Sequence, residues 1–468
     1  MLHVYLGTCF TASPLRQWVS APACRQVATA AQEVRRLVGP AAPALEWLGL
    51  WHPPGSPPTG FKALRGATVL LIDLLLFVFC SLLLLLDPPA DAEGQRETFF
   101  YIMASFTWTV RGVFFMLERT RHEKLVSILL SLRQRFPDDG CDIRGTHLKN
   151  AALLSLAWQV APVLVLPAWI IEPMLETHYV TYGNITEVYR RTMLYMWTPG
   201  DMQQSPNYEI SYVSQVVVSL IAVEASVLQD IFFVNIMVQV TSELDVLNAN
   251  ISSMRLPAAA KSQSVANGPE YSDTKLEQYE ATYFSHKSKT SAEDELQRSV
   301  TIYKNTNDEN EELYKKLVKN VRHHQMIMVC IDELEAAMSK SIAVVLVIST
   351  LNICVHAFGF VGMFQEDAPR VTVFKRTVAF VIYMTHNALF CFLGQSITDQ
   401  SERLLHSTFS CGWADADRPF KRSLMIVMRQ TSRPLVINVG KFFTLSRNTY
   451  MQIVNTSYTI FNMLLSVQ

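Results

Sequence analysis

The chain has 468 residues, half of them hydrophobic and only 17% charged, and its formal net charge is −1 at neutral pH. That balance describes an integral membrane protein and leaves no basic surface for nucleic acid. Its eight cysteines form no C-x-x-C pair, so free thiols are expected and neither a disulfide framework nor a metal site nor a cofactor is.

The stretch 1–61 is mixed, with a proline-rich turn from His52 to Pro58, and reads as a cytoplasmic amino-terminal region. It has no basic start followed by a sustained apolar run, so targeting is expected to rest on the first span as an uncleaved anchor. From Ala67 to Asp87 the chain is almost purely apolar, interrupted only by Asp73. At ~1.5 Å per residue this crosses a hydrocarbon core of ~30 Å. Further spans are expected at Thr98–Leu117, Ala151–Leu175, Ile210–Ile236, Ser341–Phe364, Val371–Gln395 and Ser446–Val467, which makes residues 62–468 a domain of seven transmembrane helices. Helices are required because each satisfies its backbone within one segment. The fold class is therefore an all-α membrane protein with a cytoplasmic helical anchor region.

Basic residues set the orientation. The loop after the second span carries Arg119, Arg121, Lys124, Arg133, Arg135, Arg144 and Lys149, and the loops after the fourth and sixth are similarly basic. The alternate loops are poor in Lys and Arg, which predicts a cytoplasmic amino terminus and an extracellular carboxyl terminus. The sequon at Asn184 then lies outside as a glycosylation acceptor, while the one at Asn250 lies inside. Between the fourth and fifth spans, residues 257–310 are polar and rich in Ser, Lys and Glu, and read as a flexible insertion. Beyond it Leu313, Leu317, Val321, Met328 and Leu334 recur at helical spacing, so a helix is expected to run out of the membrane into the fifth span.

The terminal span carries Asn448, Gln452, Asn455, Thr459, Asn462 and Ser466 at alternating spacings of four and three. That spacing places them on one face of a helix. Lipid cannot satisfy such a stripe, so it faces either other helices, as polar contacts, or an aqueous path.

Several motifs then meet a known pattern. Gly394-Gln395, Ser401-Glu402, the run Arg429 to Leu435, Gly440-Lys441-Phe442-Phe443 and Ser457-Tyr458 stand in the order found in insect odorant receptors. Leu48-Gly49-Leu50-Trp51 is similar to that family's entry motif, and Arg322-His323-His324-Gln325 stands where the family has a His-Gln pair. The resemblance runs from about Leu45 to Leu465. It implies an odour-gated, non-selective cation channel that forms a heterotetramer with the odorant receptor co-receptor, in the plasma membrane of olfactory sensory neuron dendrites. The terminal helix lacks the valine- and leucine-rich composition of the co-receptor, so the chain resembles a ligand-tuned subunit. By the same resemblance the last span lines the pore, with Thr459, Asn462, Met463, Ser466 and Val467 near the gate. The absence of Asp and Glu from the stripe then implies weak selectivity.

For a small hydrophobic volatile, the resemblance places an apolar pocket among the outer halves of spans two to six. The residues expected there are Phe100, Met103 and Phe106; Pro162, Leu166 and Trp169; Tyr212, Gln215 and Ser219; Phe358; and Phe380, Tyr383 and Met384. Asp73, Arg111, Glu172, Glu224, Asp230, His356 and His386 fall at apparent membrane depth. They are read as snorkelling or helix-extension positions near span ends, with a water-filled cavity as the alternative. His323 and His324 are read as packed or solvated helix positions. A G-protein-coupled receptor would need the opposite orientation, a transporter would show broken helices and internal repeats, and no catalytic motif points to an enzyme.

Overall fold

The computed structural model describes residues 32–55, 60–89, 92–138, 142–175, 178–182, 185–198, 204–255, 289–365 and 370–467. Asn184 and residues 257–288 lie outside them. In chain order the elements are α1 (residues 32–38), α2 (Ala42–Leu48), α3 (Gly60–Leu86), α4 (Ala92–Leu117), α5 (Arg119–Arg135), α6 (Ile143–Leu175), β1 (His178–Tyr182), β2 (Ile185–Tyr189), α7 (Asn207–Ser252), α8 (Lys289–Gln365), α9 (Arg370–Ser410), α10 (Arg418–Thr431), β3 (Asn438–Val439), β4 (Phe443–Thr444) and α11 (Arg447–Val467). Both strand pairs are short antiparallel hairpins, and His178 stands opposite Tyr189 in the first.

Six of these helices, α3, α4, α6, α7, α8 and α9, are long and apolar enough to cross a membrane among the described residues. At 21 residues α11 is also long enough, about 32 Å, but its amide and hydroxyl positions keep it out of that set. On α3 the buried residues Gly66, Val69, Asp73, Leu76 and Cys80 follow helical spacing, while Leu71, Leu75 and Leu85 point outward. One narrow face against protein and a broad apolar face outside is what a lipid-facing helix needs. In contrast, every residue of α7 from Ala225 to Leu244 is buried. That half forms the central column, packed by α6, α8, α9 and α4.

The helix expected to run out of the membrane does so as α8, whose 77 residues span about 115 Å. It starts at Lys289, inside the stretch read from composition as flexible, so the helical repeat reaches further back than the apolar spacing showed. At the same end α10 buries Phe420, Leu424, Val427 and Thr431 on one face. The entry motif makes the turn between α2 and α3. Gly49 has φ of 75°, and a Cβ there would stand 2.0 Å from the Lys62 carbonyl oxygen, so only glycine fits. Trp51, just after it, is fully buried against Phe232.

His122 on α5 sits in a cage of Phe115, Phe232 and Phe233, with ring centroids 4.4, 5.2 and 5.5 Å away. Neither of its ring nitrogens has a hydrogen-bond partner among the described residues. Burial pushes this imidazole down to about 3. The unfolded chain therefore takes up a proton near pH 6.5 that the folded chain refuses, and stability falls as pH drops from 6.5 toward 3. At pH 5 the loss is ~2 kcal/mol. Thermal melts of the purified receptor between pH 7 and 5 should show it, and His122→Phe should flatten this part of the slope; an equal slope in both proteins would exclude His122 as its source.

Candidate functional site: a cavity inside the helix bundle and an exposed terminal stripe

A cavity of about 190 Å³ lies inside the bundle. Each helix contributes residues at spacings of three and four, so a single face of each is used. Phe100, Ala104, Thr107, Trp108 and Arg111 come from α4; Trp158, Pro162, Val165, Leu166 and Trp169 from α6; Ser219, Val223, Ser226 and Asp230 from α7. Val345, Ser349 and Asn352 on α8 and Ala379, Ile382, Tyr383 and His386 on α9 complete the wall, with Leu76 of α3 and Met193 and Leu194 after β2. The volume and apolar lining suit a small organic molecule.

One end of the cavity is ionic, and a second ionic cluster packs behind Trp169 outside the lining. At the ionic end Arg111 pairs with Asp230 and donates to Ser226 Oγ at 3.0 Å. Trp158 Nε1 donates to the other Asp230 oxygen at 3.3 Å, and His386 Nε2 lies 3.1 Å from Asp230 Oδ1 with its ring stacked on Trp158. In the second cluster, Lys375 Nζ sits 2.5 Å from Glu172 and 3.4 Å from Glu97, over the face of Trp169. Arg376 reaches the same Glu97 at 3.7 Å. Arg111, Asp230 and His386 are thus buried and paired inside the bundle, which corrects their reading as snorkelling or helix-extension positions; Glu172 is likewise engaged by Lys375 and by Thr372 Oγ1 at 2.9 Å. Glu224 accepts from Gln159 at 2.7 Å, and Asp73 is buried at the α3 face toward the bundle.

Of the residues expected in a pocket, Phe100, Pro162, Leu166, Trp169, Ser219 and Tyr383 line this cavity. Phe100 organises the wall, with Tyr383 at 6.2 Å edge-on and Trp169 at 6.4 Å. Met103, Phe106, Tyr212, Gln215, Phe358, Phe380 and Met384 do not line it. Met103 and Phe106 are rotated off the face that carries Phe100 and Ala104, and Phe106 packs on Phe77 of α3. Phe380 and Met384 are rotated off the Ala379–Tyr383–His386 face in the same way, and Phe358 lies beyond Asn352 toward the end of α8. Tyr212 donates to the Ile170 carbonyl, and Gln215 Oε1 accepts from the Leu194 N–H at 2.9 Å. Gln215 therefore holds the Met193–Leu194 segment that covers the cavity without touching the cavity itself. The lining residues not expected from sequence, such as Thr107, Asn352 and the Arg111–Asp230 pair, share a face with the expected ones. That face periodicity was the available signal.

The terminal helix has two unlike faces. Thr449, Ile453 and Ser457 are buried against the bundle, and the Ser457 carbonyl accepts from Cys354 Sγ at 3.7 Å. Asn448, Gln452, Asn455, Thr459, Asn462, Met463 and Ser466 are all exposed on this single chain. Val467 is the last residue of the helix. Among the described residues the stripe therefore makes no polar contact layer within its own bundle. Its orientation is set by the motifs at the α9–α11 joint. A Cβ at Gly394 would stand 2.4 Å from Leu445 Cβ, Gln395 Oε1 accepts from the Arg447 N–H at 3.3 Å, and Ser401 Oγ accepts from the Leu435 N–H at 2.9 Å. The β3–β4 hairpin, turning through Gly440 and Lys441 at positive φ, is pinned to α8 by Gly440 N–H to Ser339 Oγ at 2.8 Å. His323, in the other matched motif, lies 3.2 Å from Glu243 and stacks on Phe136, a packed position.

A family model described as 7tm odorant receptor matches residues 96–458. The chain belongs to the odorant receptor family. Among relatives of this receptor, odorant receptor 2a of Drosophila melanogaster is 25% identical over 155 residues, 33% of this chain and 39% of that protein. The alignment thus spans about two fifths of the fly protein's length. The odorant receptor coreceptor of Anopheles gambiae is 20% identical over 301 residues, 58% of this receptor and 62% of that chain. The olfactory receptor OR5 of Machilis hrabei, solved in complex with eugenol, superposes with a TM-score of 0.68 at 15% identity, covering 94% of this receptor and 99% of that chain. The receptor thus shares that fold and is a multi-pass membrane protein.

Proposed function

We propose that the receptor is the odour-binding subunit of a ligand-gated, non-selective cation channel that assembles with the odorant receptor co-receptor in the plasma membrane of olfactory neuron dendrites. The exposed amide and hydroxyl face of α11 carries this reading. A membrane helix with that face uncovered requires water or matching polar surface from other subunits, and a ring of such helices around an axis supplies both. In this reading Thr459, Asn462, Met463, Ser466 and Val467 surround the ion path, the amino terminus is cytoplasmic and Asn184 is an extracellular glycan acceptor. The cavity is the odour site, with Phe100, Pro162, Leu166, Trp169, Ser219 and Tyr383 as its contacts. The eugenol complex of the structural neighbour supports a small-molecule site in this fold, and the coreceptor relative supports the choice of partner. A ligand that binds the open state more tightly shifts the α11 ring outward and admits cations.

Expressed with a co-receptor subunit, the receptor should give odour-evoked current, and G-protein-dependent signalling without current would refute the channel. The stripe also predicts how selectivity can be altered. No carboxylate faces the proposed path, so Asn462→Asp adds a fixed charge from each copy and should shift the reversal potential toward calcium in mixed-ion solutions. An unshifted reversal potential, with current intact, would place Asn462 outside the path.

A further inference from the structure

At the ionic end of the cavity Arg111 Nε and His386 Nε2 lack a hydrogen-bond partner among the described residues, and away from that end so do Ser219 Oγ on α7 and Asn352 Oδ1 on α8. Ser219 and Asn352 are 4% and 1% exposed, so bulk solvent does not satisfy them. Most buried polar side chains are paired, and an unpaired one is costly to keep. Both belong to a wall that is mostly apolar and includes Phe100, Leu166 and Trp169. At the charged end the atoms without a partner, Arg111 Nε and His386 Nε2, belong to an ion cluster whose charges are already engaged. Arg111 and Asp230 neutralise each other, and Ser226 and Trp158 take up further positions on the pair.

Resting on the cavity as the odour site, we propose that this receptor's ligands are neutral hydroxyl-bearing molecules, alcohols or phenols on an apolar body, with the hydroxyl paired to Asn352 or Ser219. A carboxylate or ammonium would lose its hydration and meet a floor without spare charge. A hydrocarbon would fill the volume and leave both polar atoms unpaired. The Asn352 oxygen is an acceptor and calls for a donor, which a ketone or ester lacks. The serine hydroxyl adapts, donating to the ligand oxygen or accepting from it. A site built around unpaired polar atoms discriminates strongly against analogues that cannot pair them.

The test is a dose–response comparison on cells expressing the full receptor with a co-receptor subunit, using compounds of matched skeleton. Heptane, heptan-2-ol, heptan-2-one and heptanoic acid form one series; ethylbenzene, 1-phenylethanol and acetophenone form another. The alcohols are expected to act at the lowest concentrations. Asn352→Leu should raise their half-maximal concentration roughly tenfold while leaving the hydrocarbons unchanged. Ser219→Ala removes a single atom and should act in the same direction if Asn352→Leu does not reach the surface. Alcohols no better than ketones or hydrocarbons, silence of both series, or loss of sensitivity equal across all classes in the variants would overturn the proposal. Ala104→Phe separates the two levels: if it blunts every compound while Asn352→Leu and Ser219→Ala change nothing, the cavity stands and the hydroxyl assignment falls. If Ala104→Phe has no effect, the cavity itself is not the odour site.

Discussion

Replacing Asp230 with alanine should prevent the receptor from accumulating in folded form. Arg111 and Asp230 are 2% and 3% exposed and lie on different helices, α4 and α7. With Asp230 gone, a guanidinium remains in the bundle with no opposing charge, and breaking such a pair costs ~3–5 kcal/mol. Against total stabilities of ~5–15 kcal/mol, this is enough to empty the folded state of a marginal protein. Trp158 Nε1 loses its acceptor and His386 its carboxylate neighbour at 3.1 Å in the same step. Surface biotinylation together with a thermal melt of whatever is recovered would measure the loss. Removing both charges, as Arg111→Met with Asp230→Leu, should recover much of the accumulation, because apolar groups of similar bulk need no partner. Normal accumulation of Asp230→Ala alone would mean that Arg111 finds another partner or water.

Filling the cavity should silence the receptor while leaving it folded. Ala104 lies in the wall between Phe100 and Trp108, and it is only 3% exposed. A phenylalanine at this position has the open volume to enter, so the fold bears little strain; a ligand would have to displace the ring or pack around it. An overpacking cost of ~1–3 kcal/mol transferred to the ligand corresponds to a rise in half-maximal concentration between roughly fivefold and 150-fold. Dose–response curves beside surface expression separate loss of binding from loss of protein. Unchanged sensitivity at normal expression would move the odour site elsewhere.

Much of this architecture was legible from residues alone. The spans follow from apolar runs longer than the membrane core, and α11 from the four-and-three spacing of its polar residues. Gly49, Gly394, Gln395, Ser401 and Gly440 stand at turns or joints where a Cβ or a missing acceptor would break the packing. Less legible was the rotation of each helix about its own axis. A rotation of about 100° separates neighbouring residues, so Met103 and Phe106 face away from the cavity although Phe100 and Ala104 face into it. Gln215 holds the covering chain through the Leu194 N–H, while Ser219, one turn further along α7, reaches the space. The ionic residues were harder still. Arg111 and Asp230 are separated by 119 positions, and nothing local to either identifies the other. Each by itself resembles a charge reaching for the membrane surface, and only the packed bundle makes them a pair.

The central claim, that the exposed face of α11 borders water during conduction, is tested most directly by cysteine accessibility. The free cysteines among the described residues, Cys80, Cys330, Cys354, Cys391 and Cys411, are all buried, so their reaction with a charged thiol reagent should be low. Cysteine placed singly at Asn455, Thr459 or Asn462 should be modified by a membrane-impermeant methanethiosulfonate during odour application, with progressive block of the current. Cysteine at Ile453 or Ser457, on the face packed against the bundle, should resist modification. Block confined to the first set is the predicted result; equal modification of both faces, or modification of the stripe without any change in current, would contradict an ion path along α11.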